Sequence, residues 1–384
     1  MRKIGISGSY GGINLGDEAI LHAMIAQLRA STRAEITVFS RNAEDTRARH
    51  DVEHVVEPHR LSRRESAEVV RELDLFLLGG GGILFDGDAE RYVREIVIAH
   101  EQGVPSMVYA VSAGPLRTSA ACRAVRRAMS LADVVTVRDH ESRRLLEDLG
   151  VEREIGVTAD PALLLEPVPR RREELLAENA LDPGERLIGF SVRELGPAAP
   201  DIDIEHEHQL VANAADFVIE RLDAQAVFVP LERSTLDVQH SHGVIARMRH
   251  ATRSTVLRRA YTPGELLSFL PCFELAIGMR LHFLIFLALA EVPFVGLPYA
   301  PKVSSFLDDV GLPGPRVRGM SAGQLIAHVS RAWDTRESRR EHMRAVLPAL
   351  QERARRTHTM ALELLERGHV KRPRPGPRGE RARA

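Results

Sequence analysis

The chain has 384 residues, a formal net charge of -1 and 44% hydrophobic residues, a size that suits two domains of ordinary length. The balanced charge, with only 5% aromatic residues, argues against a nucleic-acid-binding protein. Two cysteines, Cys122 and Cys272, are too few for a disulfide framework and favour a reducing cytosol.

The first half of the chain alternates short apolar strands with helices, an order typical of a doubly wound parallel sheet. Its predicted strands are 3–7, 35–40, 73–78, 105–111, 134–137 and 155–158. The N-terminus enters a strand pattern directly, so we expect no signal peptide, and the longest apolar run is too short to span a membrane.

The first strand is followed by the loop GSYGGINLGDEAIL, which matches neither common nucleotide-binding motif. Its glycine spacing is not GxGxxG, and Asp17 follows the last glycine where a phosphate-binding loop needs lysine. Gly11, Gly12 and Asn14 are candidate contacts to an acceptor substrate. Asp17 is either a helix-start residue favoured by the helix dipole or a ligand or base on the acceptor side, and the sequence leaves both readings open.

Four consecutive glycines, Gly79–Gly82, follow the buried strand 73–78. A tight turn needs only one or two glycines, so we predict a ligand-facing loop in which Gly80, Gly81 and Gly82 let the backbone approach a substrate.

Two arginines are placed for anion binding at the carboxyl ends of predicted strands. Arg138 follows the strand 134–137, and Arg193 follows the strand 187–192. A guanidinium group can hold a carboxylate or a phosphate with two parallel hydrogen bonds. A purely structural pair of Arg138 with Asp139 is the alternative.

The segment 166–185 is charged and contains prolines, which predicts an interdomain linker. The second half resumes the strand–helix alternation with strands at 187–192, 226–230, 273–277 and 294–297. Residues 321–366 are predicted to be helical. The last residues, HVKRPRPGPRGERARA, are basic and rich in proline, which predicts a disordered tail.

A possible metal motif lies in the predicted loop after strand 226–230. Asp237, His240 and His242 have the spacing D-x-x-H-x-H. No second cluster of ligands is visible nearby in the sequence, so we predict no metal site.

The stretch 276–311 holds the most unusual polar residues. Arg280 and His282 open the otherwise apolar run LHFLIFLALA, and Lys302 follows in a predicted loop. The chain has only three lysines, so an interior one suggests a role for a compact point charge that arginine does not fill. A buried core histidine is the plain alternative for His282.

Taken together, the motifs GSYGGINLGDEAIL, LLGGGGILF, VSAGPL, VTVRDHES, FSVRE, GMRLHFLIF and YAPKVSSFL resemble those of the polysaccharide pyruvyl transferase family. The likeness covers about residues 3–311. It implies an α/β fold of two Rossmann-like, doubly wound parallel-sheet domains that face a cleft, as in the GT-B architecture. The corresponding domain boundaries are 1–165 (acceptor side), 166–185 (linker), 186–345 (phosphoenolpyruvate side), 346–368 (C-terminal helix) and 369–384 (basic tail).

The resemblance implies transfer of a pyruvyl group from phosphoenolpyruvate to two hydroxyls of a sugar, in cell-wall or exopolysaccharide synthesis. By motif, His282 corresponds to the site histidine, with Asp17 near the acceptor. Arg138, Lys302, Arg280 and Leu281 correspond to the phosphoenolpyruvate site. Gly278 and Met279 depart from the residues expected before the RLH motif. No cofactor is implied beyond phosphoenolpyruvate as co-substrate.

Two other functions fit parts of the sequence: a GT-B glycosyltransferase that uses a nucleotide sugar, and a non-catalytic glycan-binding protein. The expected partners are phosphoenolpyruvate and a sugar acceptor, which could be linked to a lipid diphosphate, and no nucleic acid. The expected location is the cytoplasm, with transient contact at the inner face of the membrane as an option. The sequence indicates neither the acceptor sugar nor the oligomeric state.

Overall fold

The structure is a computed structural model that describes residues 1–12, 14–195, 203–232, 236–315 and 317–371. Residues 369–371 are described by their backbone alone. Most of the basic tail predicted at 369–384 therefore lies outside the described residues. Within them, no helix is both long enough and apolar enough to cross a membrane.

The first half forms an eight-stranded, all-parallel sheet in the order β3-β2-β1-β4-β6-β7-β8, with β5 paired to β6. Its strands are β1 (Arg2–Ser7), β2 (Ala34–Phe39), β3 (His54–Val56), β4 (Leu75–Leu78), β5 (Gly81–Leu84), β6 (Ser106–Ala113), β7 (Val134–Val137) and β8 (Ile155–Val157). Their side chains are largely buried, as expected for a parallel sheet covered on both faces.

Helices connect these strands by crossovers. They are α1 (Leu15–Ser31), α2 (Ala43–Arg49), α3 (Arg63–Arg71), α4 (Ala89–Gln102), α5 (Ser119–Leu131) and α6 (His140–Asp148). Several begin at side-chain caps that the sequence supplies: the Asn14 side chain accepts from Gly16 N at α1, and Asp139 accepts from Ser142 N at α6. The predicted linker 166–185 contains a short helix, α7 (Arg172–Ala177).

The second half forms a five-stranded parallel sheet in the order β11-β10-β9-β12-β13. Its strands are β9 (Arg186–Ser191), β10 (Ala224–Phe228), β11 (Ser254–Val256), β12 (Phe273–Gly278) and β13 (Phe294–Gly296). The helices around it are α8 (Ile204–Leu222), α9 (Leu236–Ile245), α10 (Pro263–Phe269), α11 (Leu281–Leu289), α12 (Pro301–Asp309) and α13 (Ala322–Asp334). The prediction of two parallel-sheet α/β domains is confirmed.

Three local predictions were wrong. The segment with Asp237, His240 and His242 is helix α9 rather than a loop. Lys302 lies in the first turn of α12, where Pro301 occupies a position that needs no backbone N–H, rather than in a loop. The glycine-rich segment includes a strand, β5, because its backbone pairs with β6. In each case local composition indicated a loop, and tertiary pairing or packing decided otherwise.

The last helix, α14 (Arg336–Lys371), returns to the first half of the chain. Gln351 donates a side-chain hydrogen bond to Leu163 O at 3.2 Å, and Thr357 donates one to the Thr158 hydroxyl at 2.7 Å. The helix therefore holds the two sheets together, and the cleft between them lies where the carboxyl ends of the strands meet.

Candidate active site

Arg138 lies at the carboxyl end of β7 and is buried. Its Nε donates to the Ser112 hydroxyl at 2.6 Å, and its Nη1 donates to the Asp160 carboxylate. Two of its five N–H donors are thus used within the protein, so less of the guanidinium is available for the two-pronged grip on a ligand that the sequence suggested. Nη2 has no hydrogen-bond partner among the described residues, so it is the part of Arg138 that a substrate can use.

Asp160 connects Arg138 to His282. It caps the short helix Pro161–Leu164 by accepting from Ala162 N at 2.9 Å. Burial alone would raise the pKa of this carboxyl group, but the charge of Arg138 and the His282 ring outweigh burial and hold the pKa below its ordinary value. Asp160 is therefore ionised at neutral pH and can fix both neighbours.

His282 lies in the first turn of α11 and is 9% exposed. Its Nε2 is 3.6 Å from an Asp160 carboxylate oxygen and has no hydrogen-bond partner in the part of the chain that the structure describes. The other ring nitrogen packs against α1 from the first domain, since a Cβ added to Gly16 would lie 2.0 Å from Nδ1. A buried ring nitrogen without a partner is costly, and a ligand or an ordered water can satisfy it.

Lys302 and Arg138 approach the same glycine from the two halves of the chain. A Cβ added to Gly82 would lie 3.7 Å from Lys302 Nζ and 3.8 Å from Arg138 Nη2. Lys302 makes no hydrogen bond or salt bridge to a described residue. The charge of Tyr299 raises the pKa of Lys302. Burial and the charges of Arg193 and Arg138 outweigh this effect, so the pKa of Lys302 lies below its ordinary value. An arriving anion would relieve this repulsion.

Asp17 borders this group from the start of α1. Its Oδ2 accepts a hydrogen bond from Asn14 Nδ2 at 3.1 Å, and a Cβ added to Gly81 would lie 3.2 Å from its Oδ1. Gly81 has a φ of +96°, a conformation that favours glycine. The structure thus brings Asp17, Gly81 and Gly82 to one side of the cations. Gly80 instead packs against Ile20 and Pro161 in the interior.

Tyr299 and Arg193 form a second pair beside Lys302. Arg193 Nη1 donates to the Tyr299 hydroxyl at 2.6 Å, and its guanidinium lies 4.9 Å from the ring centroid. Burial raises the pKa of Tyr299, but the charges of Lys302, Arg193 and Arg280 outweigh burial and lower it. Arg193 therefore contacts Tyr299 and adds positive charge beside Lys302.

Arg280 belongs to a separate cluster. Its Nε donates to the Asp237 carboxylate at 3.0 Å, and its Nη2 donates to Glu232 at 2.7 Å and again to Asp237. Burial would lower the pKa of Arg280, but Asp237 and Glu232 raise it. Two carboxylates already neutralise this arginine, so the structure does not group it with Arg138 and Lys302.

Gly11 and Gly12 lie away from the cations as well. Their backbone N–H groups donate to the buried carboxylate of Glu18 at 3.0 and 3.4 Å, and His50 Nε2 contacts the same carboxylate at 2.8 Å. Gly12 lines an interdomain cavity of about 190 Å³ that Arg138 and Lys302 do not line. Asn14 pairs with Glu232 of the second domain in an isolated bridge. These residues support the interdomain junction.

A small cavity of about 20 Å³ marks the junction of the cationic residues, with Arg138, Asp160, Leu281 and Lys302 among its lining residues. Leu281 forms an apolar part of the cavity wall beside Arg138 and Lys302. Among the described residues no group of three or more histidine, cysteine or acidic side chains could hold a metal ion. Lys302 Nζ and Arg138 Nη2 direct positive charge at Gly82, which favours an anion there.

Sequence reasoning missed three members of the site: Asp160, Ser112 and Tyr299. Each sits in a motif that the sequence displays, namely the D-P pair after β8, VSAGP and YAPK. The signal for Asp160 was an acidic residue at the carboxyl end of a strand, the same signal that identified Arg138. Its link to His282 joins residues 122 positions apart and required the fold.

A model of the family described as "Polysaccharide pyruvyl transferase" matches residues 14–301, which is three quarters of the chain. The chain belongs to the polysaccharide pyruvyl transferase family. The match includes Arg138, Asp160 and His282 and ends one residue before Lys302. Membership establishes a transferase of the class that passes pyruvyl groups to polysaccharides. Among curated protein sequences, none matches this member of the family.

Solved structures show the fold more broadly. A protein from Listeria monocytogenes named as a UDP-N-acetylglucosamine 2-epimerase aligns with a TM-score of 0.65 at 13% identity, covering 98% of this chain and 99% of its own. The epimerase of this name from Rickettsia bellii has a TM-score of 0.60 at 12% identity, with 97% and 99% coverage. At such identities the likeness shows the fold alone, and it confirms the GT-B-like architecture of this pyruvyl transferase.

Proposed function

We propose that this pyruvyl transferase uses phosphoenolpyruvate as donor and forms a cyclic ketal on two hydroxyls of a sugar, releasing phosphate. The observation that carries the proposal is the convergence of Lys302 Nζ and Arg138 Nη2 on Gly82, beside a histidine held by Asp160. Phosphoenolpyruvate carries a phosphate and a carboxylate, and the Lys302 ammonium group together with Arg138 Nη2, which both face Gly82, match such a ligand.

The reaction needs one proton donor and two proton acceptors. The donor protonates C3 of the enol, and the first sugar hydroxyl attacks C2 and loses its proton. The C2–O bond to phosphate then breaks, and the second hydroxyl attacks C2 to close the ketal. Of the two hydroxyl protons released, one replaces the proton delivered to C3 and the other leaves with phosphate, so the balance needs no oxidant or cofactor.

His282 is proposed as the acid that serves C3, either directly or as a relay. The ionised Asp160 carboxylate lies 3.6 Å from Nε2 and can orient the ring. Asp17, on the other side of Gly81, is proposed to receive a proton from the acceptor hydroxyl. Lys302 neutralises the leaving phosphate.

The acceptor is proposed to be a sugar of a cell-wall or exopolysaccharide precursor, carried on a lipid diphosphate or a nucleotide. We place the reaction in the cytoplasm, with the protein at the inner face of the membrane when the acceptor is lipid-linked. The first domain would then offer the acceptor side, while both domains contribute cations to the donor.

The direct test incubates the purified protein with phosphoenolpyruvate and a panel of lipid- and nucleotide-linked sugars. The proposal expects phosphate release together with a product whose mass has increased by a pyruvyl ketal. Lys302→Met serves as the site variant, and we expect its affinity for phosphoenolpyruvate to fall about 10–100-fold because a charge-assisted contact is lost. Phosphate release without a ketal mass, or full affinity in Lys302→Met, would contradict the assignment.

A further inference from the structure

A second polar cavity, of about 190 Å³, opens at the carboxyl ends of β1 and β2. We call it the β1–β2 cavity. Its polar lining consists mainly of Ser7, Arg41, His59, Arg91, Arg94 and Glu95. In open α/β sheets ligands bind outside the carboxyl ends of the strands. One water needs only about 10–15 Å³ of cavity, so a group of several heavy atoms can enter.

Arg94, one of the three arginines that line the β1–β2 cavity, already makes several hydrogen bonds within the protein. Arg94 donates its Nε to Glu95 at 2.9 Å and its Nη2 to Pro58 O at 3.0 Å and the Ser66 hydroxyl at 2.9 Å. Glu95 is 2% exposed, and burial raises its pKa even though Arg94 opposes this. The single carboxylate of the lining is thus matched by Arg94, which leaves the other two arginines uncompensated.

The other two arginines, Arg41 and Arg91, have side-chain N–H groups without a hydrogen-bond partner among the described residues. Arg41 uses only Nη2, which donates to the Ser9 carbonyl at 3.2 Å and the Ser9 hydroxyl at 2.9 Å. The side chain of Arg91, which is exposed on α4, makes no hydrogen bond or salt bridge to any described residue. The free guanidinium groups make the cavity a site for an anion with several acceptor oxygens.

The β1–β2 cavity and the donor site share one edge of the sheet. With the strand order β1-β4-β6, the end of β1 is two strand spacings, about 10 Å, from β6, to which β5 and Gly82 are paired. A sugar ring joined to a phosphate or diphosphate covers this kind of distance. The cavity is therefore placed to hold the far end of a molecule whose hydroxyls lie at Gly82.

We propose that the β1–β2 cavity binds the phosphate or diphosphate group of the acceptor, through Arg41 and Arg91, while the sugar reaches the donor at Gly82. The inference rests on the proposed function for its account of the sugar. The same chemistry is offered by a nucleoside diphosphate sugar and by a lipid diphosphate sugar. The remaining lining residue with an ionisable ring, His59, is exposed and can add a further donor.

The test uses inorganic pyrophosphate as probe and isothermal titration calorimetry on the full chain. Saturating phosphoenolpyruvate occupies the donor site during the titration. We expect wild type to bind pyrophosphate and Arg91→Gln to weaken binding at least about tenfold, because a charge-assisted hydrogen bond is lost. Arg127→Gln, which changes an exposed arginine of α5 without a described partner, is the matched control and should bind as wild type.

A second variant and a second condition keep the outcome decisive. Arg41→Gln should weaken binding as well, and the melting temperature of each variant reports whether it is folded. Repeating the titration with Lys302→Met in the absence of phosphoenolpyruvate tests the cavity independently of the donor assignment. Retained, Arg91-dependent binding there supports the cavity even if phosphoenolpyruvate proves not to be the donor.

Two competition arms identify the source of the phosphate. Uridine diphosphate and a short polyprenyl diphosphate in micelles are each titrated against pyrophosphate bound to the wild type, and the diphosphate that displaces the probe assigns the acceptor to the nucleotide-linked or the lipid-linked class. The inference is overturned if wild type does not bind pyrophosphate beside phosphoenolpyruvate, if Arg91→Gln and Arg41→Gln bind as tightly as wild type, or if neither diphosphate displaces the probe.

Discussion

Two buried arginines, Arg138 and Arg280, each lie just beyond the carboxyl end of a buried parallel strand, one in each half of the molecule, yet their surroundings differ. Arg280 contacts two carboxylates, Asp237 and Glu232, through its Nε and Nη2 atoms. Arg138 donates hydrogen bonds to Asp160 and to the Ser112 hydroxyl and lies 4.0 Å from a carboxylate oxygen of Asp139. Its Nη2 has no described hydrogen-bond partner and is directed at Gly82, beside Lys302. We call Arg280 with Asp237 and Glu232 the closed cluster, because two carboxylates neutralise its charge and hold it in the fold. We call Arg138 and Lys302 the open cluster, because Arg138 Nη2 and Lys302 Nζ have no described hydrogen-bond partner and leave positive charge available for a ligand.

The comparison shows why position in a strand–helix motif does not by itself identify a binding residue. Both arginines satisfy the same sequence rule, and the difference lies in how many acceptors the fold brings to each. A buried charge that is fully paired contributes to structure, and a buried charge with donors to spare is a candidate for chemistry. The predictions below separate these two roles.

The largest effect is expected for His282→Gln. Loss of a positioned acid should lower the rate of phosphate release about 10²–10⁴-fold, while phosphoenolpyruvate affinity measured by calorimetry stays within a factor of a few. His100→Gln, an exposed histidine of α4, is the control. If His282→Gln keeps most of the turnover, the assignment of this histidine as acid or relay is wrong.

The closed cluster is tested by Arg280→Met. Removing one partner of a buried ion pair costs about 3–5 kcal/mol, because Asp237 is left buried without its cation. We expect a large loss of unfolding free energy in urea titrations with phosphoenolpyruvate affinity retained. Arg344→Met, which breaks a partly exposed pair with Glu291, should cost at most about 1 kcal/mol. Unchanged stability with lost phosphoenolpyruvate binding would reverse the comparison and return Arg280 to the donor site.

The open cluster is tested by Gly82→Ala. The added methyl group would lie at ordinary contact distance from Lys302 and Arg138, so the fold should tolerate it. It would nevertheless occupy the space where the donor anion is expected, and one extra carbon in a binding pocket costs on the order of tenfold in affinity. The KM for phosphoenolpyruvate should rise accordingly. Gly323→Ala, where an added Cβ meets nothing within 4 Å, should behave as wild type, and equal KM values would place the anion elsewhere.

The smallest effect concerns the pH dependence of Asp160→Asn. The pKa of Asp160 is lowered in the folded state, so its ionic contribution is complete above the unfolded-state pKa of about 3.9 and is lost as pH falls through the lower folded-state value. The destabilisation by Asp160→Asn should be constant from pH 8 to pH 5 and shrink below about pH 4, by at most about 1.4 kcal/mol per pH unit. Denaturant titrations from pH 3 to pH 8 measure this, with the exposed Asp148→Asn as control. A difference that grows as the pH falls would show that Asp160 is not held ionised.

The sequence by itself determined the architecture. The alternation of buried strands with helices predicted two parallel sheets. Helix-capping residues and glycines predicted where most helices and strands begin and end, because these signals act within a few residues. It also singled out Arg138, His282, Lys302 and the glycines after β4, since charged or flexible residues at strand ends stand out from an apolar background. The segments that it misjudged, α9 and β5, contain residues whose local preferences are weak and whose structure depends on neighbours distant in the chain.

Only the tertiary structure decided which of these residues act together. It joined Asp160 to His282, set Lys302 against Arg138 across Gly82, and gave Arg280 its two carboxylates. The physical reason is that whether a buried charge is free or neutralised depends on the acceptors within a few ångströms of it, and those acceptors come from the other ends of the chain. Spacing along the sequence carries no information about such distances.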